Sequence, residues 1–196
     1  MKKFTYLKAI LFIFIVSLSI TSLIVNVQAA SWSKVPSPTK ATLESVDMVS
    51  STDGLAVGAD GSIIRWDGTN WNNITSPTTE ILFSVDMVNS ADGWAAGDGG
   101  AIMRWDGTSW EYVASPTNYP VYKSVDMVSS TDGWAVGLAG LITRWDGTKW
   151  NNVASPTNYP LFSVDMVSST DGWAVGQRGV IIRWNGTNWN IVRDPE

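Results

Sequence analysis

The chain has 196 residues, a formal net charge of −5, no histidine and no cysteine. The two missing residue types exclude His-dependent catalytic triads, thiol chemistry, disulfides and zinc sites of the ordinary His/Cys kind. The acidic charge makes nucleic acid and anionic lipid unfavourable partners, because both attract basic surfaces.

The first 29 residues have the composition of a secretory signal peptide. Lys2 and Lys3 precede an apolar run over residues 9–25, and small residues around Ala29 follow it, which is the order of a signal sequence and its cleavage site. Cleavage would move the net charge from −5 to −8, because it removes three lysines and no acid. An uncleaved membrane anchor is the alternative. We expect a secreted or extracytoplasmic protein whose folded domain spans residues 30–196, and an association with membrane only if the segment is retained.

One motif recurs four times along the rest of the chain. Ser-Val-Asp-Met-Val begins at Ser45, Ser84, Ser124 and Ser163, which gives a spacing of 39, 40 and 39 residues. A fixed period of this length indicates a repeat architecture. The repeats span approximately residues 40–78, 79–117, 118–157 and 158–196.

Each repeat predicts four short strands, as the second copy illustrates. Residues 83–88 alternate in polarity, residues 94–96 and 101–105 form two further apolar runs, and an Asp-Gly pair separates the third run from residues 108–113. Asp-Gly between two such runs is a strong hairpin signal. Four strands in about 40 residues, without helical periodicity, are typical of one blade of a β-propeller. The predicted fold class is therefore all-β, a propeller of four four-stranded antiparallel blades.

Tryptophan marks the register of the repeats and raises the question of ring closure. Eleven of the twelve tryptophans recur in register, and the twelfth, Trp32, begins a match of residues 32–39 to residues 110–117. Residues 32–36 thus predict an extra fourth strand, and either this copy or residues 189–193 is surplus. A closed four-bladed monomeric ring is favoured, with an open arc or two chains sharing a larger ring as alternatives. The in-register positions of the last two strands are Trp66, Trp105, Trp145, Trp184, Trp71, Trp110, Trp150 and Trp189.

The repeat over residues 40–193 resembles the propeller repeats of the photosystem II stability and assembly factor family. The similarity lies in Ser-Val-Asp-Met-Val, in Asp-Gly-Trp-Ala-Val-Gly, in Gly-x-Ile and in the hairpin that ends in Trp. The turn from Trp105 to Trp110 is also similar to the Asp-box of BNR propellers, although it is one residue shorter and has Arg104 in place of the leading Ser. The resemblance implies an exported, non-catalytic binding scaffold, usually with more than four blades.

Acidic and basic residues recur once per blade, and we interpret them as structural. The first strands carry Asp47, Asp86, Asp126 and Asp165, and the third strands carry Arg65, Arg104, Arg144 and Arg183. Pairing between these two sets, or local turn hydrogen bonds, would offset the cost of partial burial. A ring of four carboxylates around a cation is the less favoured alternative. We expect no cofactor and no metal, and no catalytic pair of carboxylates stands out.

The connections between strands predict one constant and one variable face. Alternate connections of an antiparallel sheet lie at the same end, so the links between strands two and three share a face with the links between blades. These links differ among the copies, whereas the two hairpin turns hardly change, and function is usual on variable loops over a rigid scaffold. The candidate binding residues are Asp60, Asp98, Tyr119, Tyr122, Lys123, Tyr159, Gln177 and Arg178.

Two functions fit these patterns. The first is an exported, non-catalytic scaffold that binds a protein partner through the variable face. The second is a lectin-like propeller in which equivalent sites on similar blades bind glycans with avidity. A single protein partner would use the varied positions and a multivalent lectin the constant ones, so the variation favours the scaffold.

Overall fold

Each sequence repeat folds into one antiparallel sheet of four consecutive strands. The computed structural model describes residues 33–118 and 120–193, and its sheets have the orders β1-β2-β3-β4, β5-β6-β7-β8, β9-β10-β11-β12 and β13-β14-β15-β16. We call these sheets blades 1 to 4, and they confirm the predicted propeller architecture. The strands are β1 Leu43–Ser50, β2 Asp53–Gly58, β3 Ile63–Trp66, β4 Trp71–Ile74, β5 Leu82–Asn89, β6 Asp92–Gly97, β7 Ile102–Trp105, β8 Trp110–Tyr112, β9 Tyr122–Ser129, β10 Asp132–Gly137, β11 Ile142–Trp145, β12 Trp150–Asn152, β13 Leu161–Ser168, β14 Asp171–Gly176, β15 Ile181–Trp184 and β16 Trp189–Arg193.

The hairpin between the third and fourth strands of each blade is fixed by its aspartate and glycine. In blade 2, Asp106 Oδ1 accepts the backbone N–H groups of Thr108 and Ser109 at 2.7 and 2.8 Å, and Gly107 has a φ of +94° that favours glycine. These hydrogen bonds lower the pKa of the Asp106 carboxyl. Asn185 accepts the same two bonds in blade 4, because both side chains present an oxygen to the local backbone.

Neighbouring blades are joined by side chains of their first strands. Ser45 Oγ accepts the backbone N–H of Val85 at 3.2 Å, and Asp47 Oδ2 accepts that of Met87 at 2.7 Å. The same pair of bonds joins blade 2 to blade 3 and blade 3 to blade 4. A carboxylate that accepts a backbone N–H makes one of the stronger hydrogen bonds in proteins. These serines and aspartates therefore set the spacing between consecutive blades.

The recurring arginines pair with the aspartates that begin the second strands, which corrects the pairing predicted with Asp47, Asp86, Asp126 and Asp165. These partners are Asp53, Asp92, Asp132 and Asp171. Arg144 Nε lies 2.8 Å from Asp132 Oδ1, and the equivalent pairs in the other blades are 2.7 to 2.9 Å long. The register explains the difference, since Asp47 and Arg65 both oppose Leu55, one from each side of β2. A whole strand separates them, about 10 Å at the usual strand spacing.

A tryptophan from the second strand of one blade inserts between two tryptophans of the next. The Trp134 ring centroid lies 4.7 Å from that of Trp184 and 5.3 Å from that of Trp189. Trp94 makes the same contacts with blade 3, and Leu55 takes this position between blades 1 and 2. Each fully buried ring removes roughly 150 to 250 Å² from water, so these junctions hold most of the apolar core.

The four blades are packed in chain order, and closure of the ring is not seen among the described residues. Each first strand contacts the first strand of the next blade, whereas β1 and β13 make no comparable contact and share no hydrogen bond. Residues 33–36, which fall in the predicted extra strand, add no strand to any of the four sheets. Ser37 and Thr39 nevertheless form the same hydrogen-bonded turn as Ser76 and Thr78. Trp32 and the predicted signal segment lie outside the described residues.

Burial raises the pKa of two of the inner carboxylates, Asp86 and Asp126. Loss of hydration in the crevice between blades 2 and 3, together with the negative charges of Asp126 and Asp47, raises the pKa of Asp86 to about 7 against the hydrogen bond from Met127. Burial also raises the pKa of Asp126. The folded protein thus retains a proton on Asp86 that the unfolded chain releases near pH 4, and ionisation of Asp86 opposes folding.

We predict that Asp132→Ala lowers the free energy of unfolding by about 1 to 2 kcal/mol, because the half-buried Arg144 guanidinium loses its partner. Asp171→Ala is the matched control, since the same pair in blade 4 is more exposed and water can replace the carboxylate. Denaturant titrations should show a smaller loss for Asp171→Ala. Equal losses would contradict the assigned role of burial.

We also predict that Asp86→Asn removes part of the pH dependence of stability. Wild-type stability should fall as the pH rises from about 4 to about 7, whereas the asparagine keeps an acceptor for Met127 without a titrating charge. The variant should gain about 4 kcal/mol over wild type at pH 8 and little at pH 4, because each unit of the pKa difference between the folded and unfolded states is worth about 1.4 kcal/mol. Asp106→Asn is the control, because its lowered pKa lies outside this range. Parallel stability curves for wild type and Asp86→Asn would refute the prediction.

Candidate functional site

The variable connections lie together on one face, which we call the link face. It consists of the turns Ala59–Gly61, Asp98–Gly100, Leu138–Gly140 and Gln177–Gly179 and of the links between blades. Each turn donates a backbone hydrogen bond to the link that precedes its own blade, for example from Ala59 to Thr42 at 2.8 Å and from Gln177 to Pro160 at 2.8 Å. Both sets of varied residues are therefore presented side by side, one pair per blade.

The tip of each link-face turn has a left-handed backbone. Asp60, Ala139 and Arg178 have φ angles of 55°, 55° and 58°, and Gly99 takes the position in blade 2 with a φ of 60°. Side chains with a Cβ pay about 1 kcal/mol for this conformation, which glycine adopts freely. Three of four blades nevertheless carry a larger side chain there, and such retained strain is common at functional positions.

Tyr122 is not available for binding, which corrects its assignment to the candidate face. It is fully buried, and its hydroxyl lies 2.9 Å from Ser115 Oγ. Burial raises the pKa of its phenol. Tyr122 starts β9 as Leu82 and Leu161 start β5 and β13, and both leucines are also fully buried. Alignment of the repeats on these strand starts is the sequence signal that would have placed Tyr122 in the core.

Two of the predicted residues lie against aromatic rings. Lys123 Nζ is 3.3 Å from the ring centroid of Phe83, and both residues occupy the second position of their inner strands rather than a loop. This position varies among the blades, and in blade 4 it is the exposed Phe162. Neither Phe83 nor Phe162 is among the predicted site residues. The Arg178 guanidinium lies 5.7 Å from the ring centroid of the half-buried Tyr159.

The remaining predicted residues lie in separate link-face turns rather than in one cluster. Asp60 and Gln177 are exposed, Asp98 is half-buried, and Asp98 Oδ1 accepts only the backbone N–H of Gly99. Tyr119 lies outside the described residues. The structure thus brings Arg178 together with Tyr159, and it distributes Asp60, Asp98 and Gln177 over three blades. Such a spread fits an extended partner better than a small molecule.

A second repeated feature lies at the outer edge of the blades. Blades 1, 2 and 4 have shallow grooves of about 430, 440 and 360 Å³. Each groove is lined by the aspartate that begins the second strand and by the arginine that pairs with it. In blade 2 the groove also contains Trp105, Glu111 and Tyr112. The same aspartate and arginine therefore recur in the grooves of these three blades.

The inner aspartates make hydrogen bonds between blades. No group of three or more His, Cys, Asp or Glu side chains within residues 33–118 and 120–193 is arranged to hold a metal. Asp47, Asp86 and Asp126 instead each accept a backbone N–H of the following blade. In the same part of the chain, no helix is long and apolar enough to cross a membrane.

Comparisons with known proteins identify the fold and leave the family open. No protein-family model matches the chain, and no curated protein matches it. Among solved structures, YCF48 bound to D1 peptide is similar with a TM-score of 0.66 and 19% identity, covering 80% of this chain and 56% of YCF48. YCF48 from Cyanidioschyzon merolae gives a TM-score of 0.67 and 20% identity, covering 83% of this chain and 59% of that protein.

A propeller of a different kind is equally similar in structure. The RRP9 WD40 repeats give a TM-score of 0.70 at 11% identity, covering 81% of this chain and 53% of RRP9. The chain therefore spans between about half and three fifths of the length of these structures. It is a propeller-repeat protein that resembles the photosystem II assembly factor YCF48 in fold.

Proposed function

We propose that the protein is an exported, non-catalytic propeller that binds a protein or peptide partner through its link face. The observation that carries the proposal is the set of side chains Asp60, Ala139 and Arg178, held in left-handed conformations at equivalent turn tips. Glycine would relieve the strain at each tip, so a side chain there has a use outside the fold. The three side chains differ in charge and size, as expected for contact with one asymmetric partner.

The surroundings of these tips support a peptide-sized contact area. Arg178 rests over Tyr159, which gives one amphipathic patch at the edge of blade 4, and aromatic and arginine side chains are enriched at interface centres. YCF48 is a protein of similar fold whose structure contains D1 peptide, which supports a peptide or protein as the class of ligand for this fold.

A glycan-binding propeller remains the second candidate, and the repeated outer grooves favour it. The grooves of blades 1, 2 and 4 share their aspartate and arginine and have similar volumes. Equivalent weak sites on one rigid body give avidity for a multivalent glycan. This function would use the constant residues of the blades and leave the link face free.

We predict that the variant Asp60→Gly/Arg178→Gly loses peptide binding while the fold is retained. Gly99 shows that glycine is accommodated at this tip, so removal of the two side chains should leave stability unchanged or raised. Peptides selected on the wild-type protein from a random phage-displayed library should bind the variant at least about tenfold more weakly.

Lys149→Gly is the control for this experiment, because Lys149 is an exposed cation in a hairpin turn at the other end of the blade. Its peptide affinity should equal that of wild type. Equal affinity of the tip variant, or the same loss in Lys149→Gly, would contradict binding at the link face. If the selection yields no peptide and the protein binds glycans on an array, the function belongs to the outer grooves.

A further inference from the structure

Every junction between blades has a trailing face on one blade and a leading face on the next. The trailing face of blade 3 presents Trp134, Ser124 Oγ and Asp126 Oδ2, and the leading face of blade 4 receives them. The receiving groups are the rings of Trp184 and Trp189 and the backbone N–H groups of Val164 and Met166. The junction between blades 2 and 3 repeats this arrangement.

The two end faces of the array are uncovered in the part of the chain that the structure describes. On the leading face of blade 1, Val46 is 59% exposed, whereas its counterpart Val85 is 5% exposed. On the trailing face of blade 4, Trp173 is 37% exposed, whereas its counterpart Trp134 is completely buried. Each end therefore exposes the apolar surface that a neighbouring blade covers elsewhere.

The uncovered faces keep the residues of an interior junction. Terminal repeats of stable arrays usually have a polar outer face that prevents further stacking, and neither end of this array does. The trailing face of blade 4 has the serine, aspartate and tryptophan of blade 3, and the leading face of blade 1 has the valine, methionine and two tryptophans of blade 4. These residues are Ser163, Asp165 and Trp173 at one end, and Val46, Met48, Trp66 and Trp71 at the other.

The leading face of blade 1 also contains a groove of about 400 Å³ between Leu43, Val46 and Trp71. At the next junction the corresponding space is occupied by Leu55, Val57 and Ile63 of the preceding blade. The trailing face of blade 4 has the matching positions as Trp173, Val175 and Ile181. Val35 forms the outer rim of the groove and would meet Val192 of an arriving blade, so the rim must rearrange while the inner positions dock unchanged.

We propose that blade 4 of one chain docks on blade 1 of a second copy, and blade 4 of the second copy on blade 1 of the first, so that two chains close one ring. Trp173 then inserts between Trp66 and Trp71 of the second copy. Ser163 and Asp165 accept the backbone N–H groups of its Val46 and Met48. The inner part of the junction repeats the contact between blades 3 and 4, and head-to-tail contacts of this kind form closed rings when the rotation allows it.

Ring closure in this way has a consequence for the link face. Blades in a ring all run in the same direction around the axis, so both copies present their link faces on the same side. Ring closure depends on the end faces alone and is independent of whether the link face binds a protein.

The experiment measures the mass of the protein, as isolated from the cell that produces it, by native mass spectrometry and by light scattering. Wild type should have twice the mass of one chain. Trp173→Glu and Val46→Glu should each shift the protein to the mass of one chain with unchanged circular dichroism, because both residues are exposed within a single chain. Tyr112→Glu, a change of an exposed aromatic side chain away from both end faces, should leave the mass at two chains.

Mixing the two single variants tests the head-to-tail geometry. Trp173→Glu keeps an intact blade 1 face and Val46→Glu keeps an intact blade 4 face, so the mixture should form a dimer through one junction although neither variant does so alone. A wild-type protein with the mass of one chain overturns the proposal, whether the faces stay bare or residues 1–32 cover them. A dimer that survives Trp173→Glu, a mixture that stays monomeric, or a wild-type mass above two chains also overturns it.

Discussion

The structure depends on the contact of each inner strand with the next blade. A four-stranded sheet buries little by itself, and in this chain the carboxylate of Asp47 and the hydroxyl of Ser45 reach backbone N–H groups of blade 2. Side-chain acceptors on one strand thereby satisfy donors that the neighbouring sheet leaves unpaired. The tryptophan wedge then excludes water from the same junction. Stability in such arrays is close to a sum over junctions, so the number of completed junctions decides how stable the domain is.

Much of this architecture could be predicted because the same local sequence signals recur in every repeat. The period, the Asp-Gly turns and the register of the tryptophans are local signals, and they specify four strands per blade without knowledge of distant contacts. The partner of each arginine could not be found in this way. Arg65 chooses between Asp53 and Asp47 by strand register, which places Asp47 on the far side of β2. The repeat shows one arginine in the third strand of every blade and leaves open which aspartate pairs with it.

The position of the variable links can be predicted from the sequence, whereas one candidate residue, Tyr122, lies in the core. The side of the sheet that carries the variable links follows from strand direction, and the hydrogen bonds between turns and links agree with it. The longest link precedes Tyr122, which predicts a loop residue, although its backbone begins β9 and its ring fills the position of a core leucine. The left-handed tips could not be recognised at all, since Asp60, Ala139 and Arg178 share no residue type. Only backbone geometry shows that they are one position with three different side chains.

The near identity of the blades explains both why the scaffold is rigid and why its two end faces are suited to docking. A scaffold in which every junction uses the same residues needs no special residues to position its loops, and variation can concentrate at the link face. Because the same residues recur, blades 1 and 4 have end faces that fit a neighbouring blade. Val46 and Trp173 are the residue types found at the interior positions Val85 and Trp134. Burial of these two faces against each other would complete the hydrogen bonds of Ser163 and Asp165 and remove the exposed apolar groove. Two link faces on one ring would then act together, and several weak contacts with one partner would add through effective concentration.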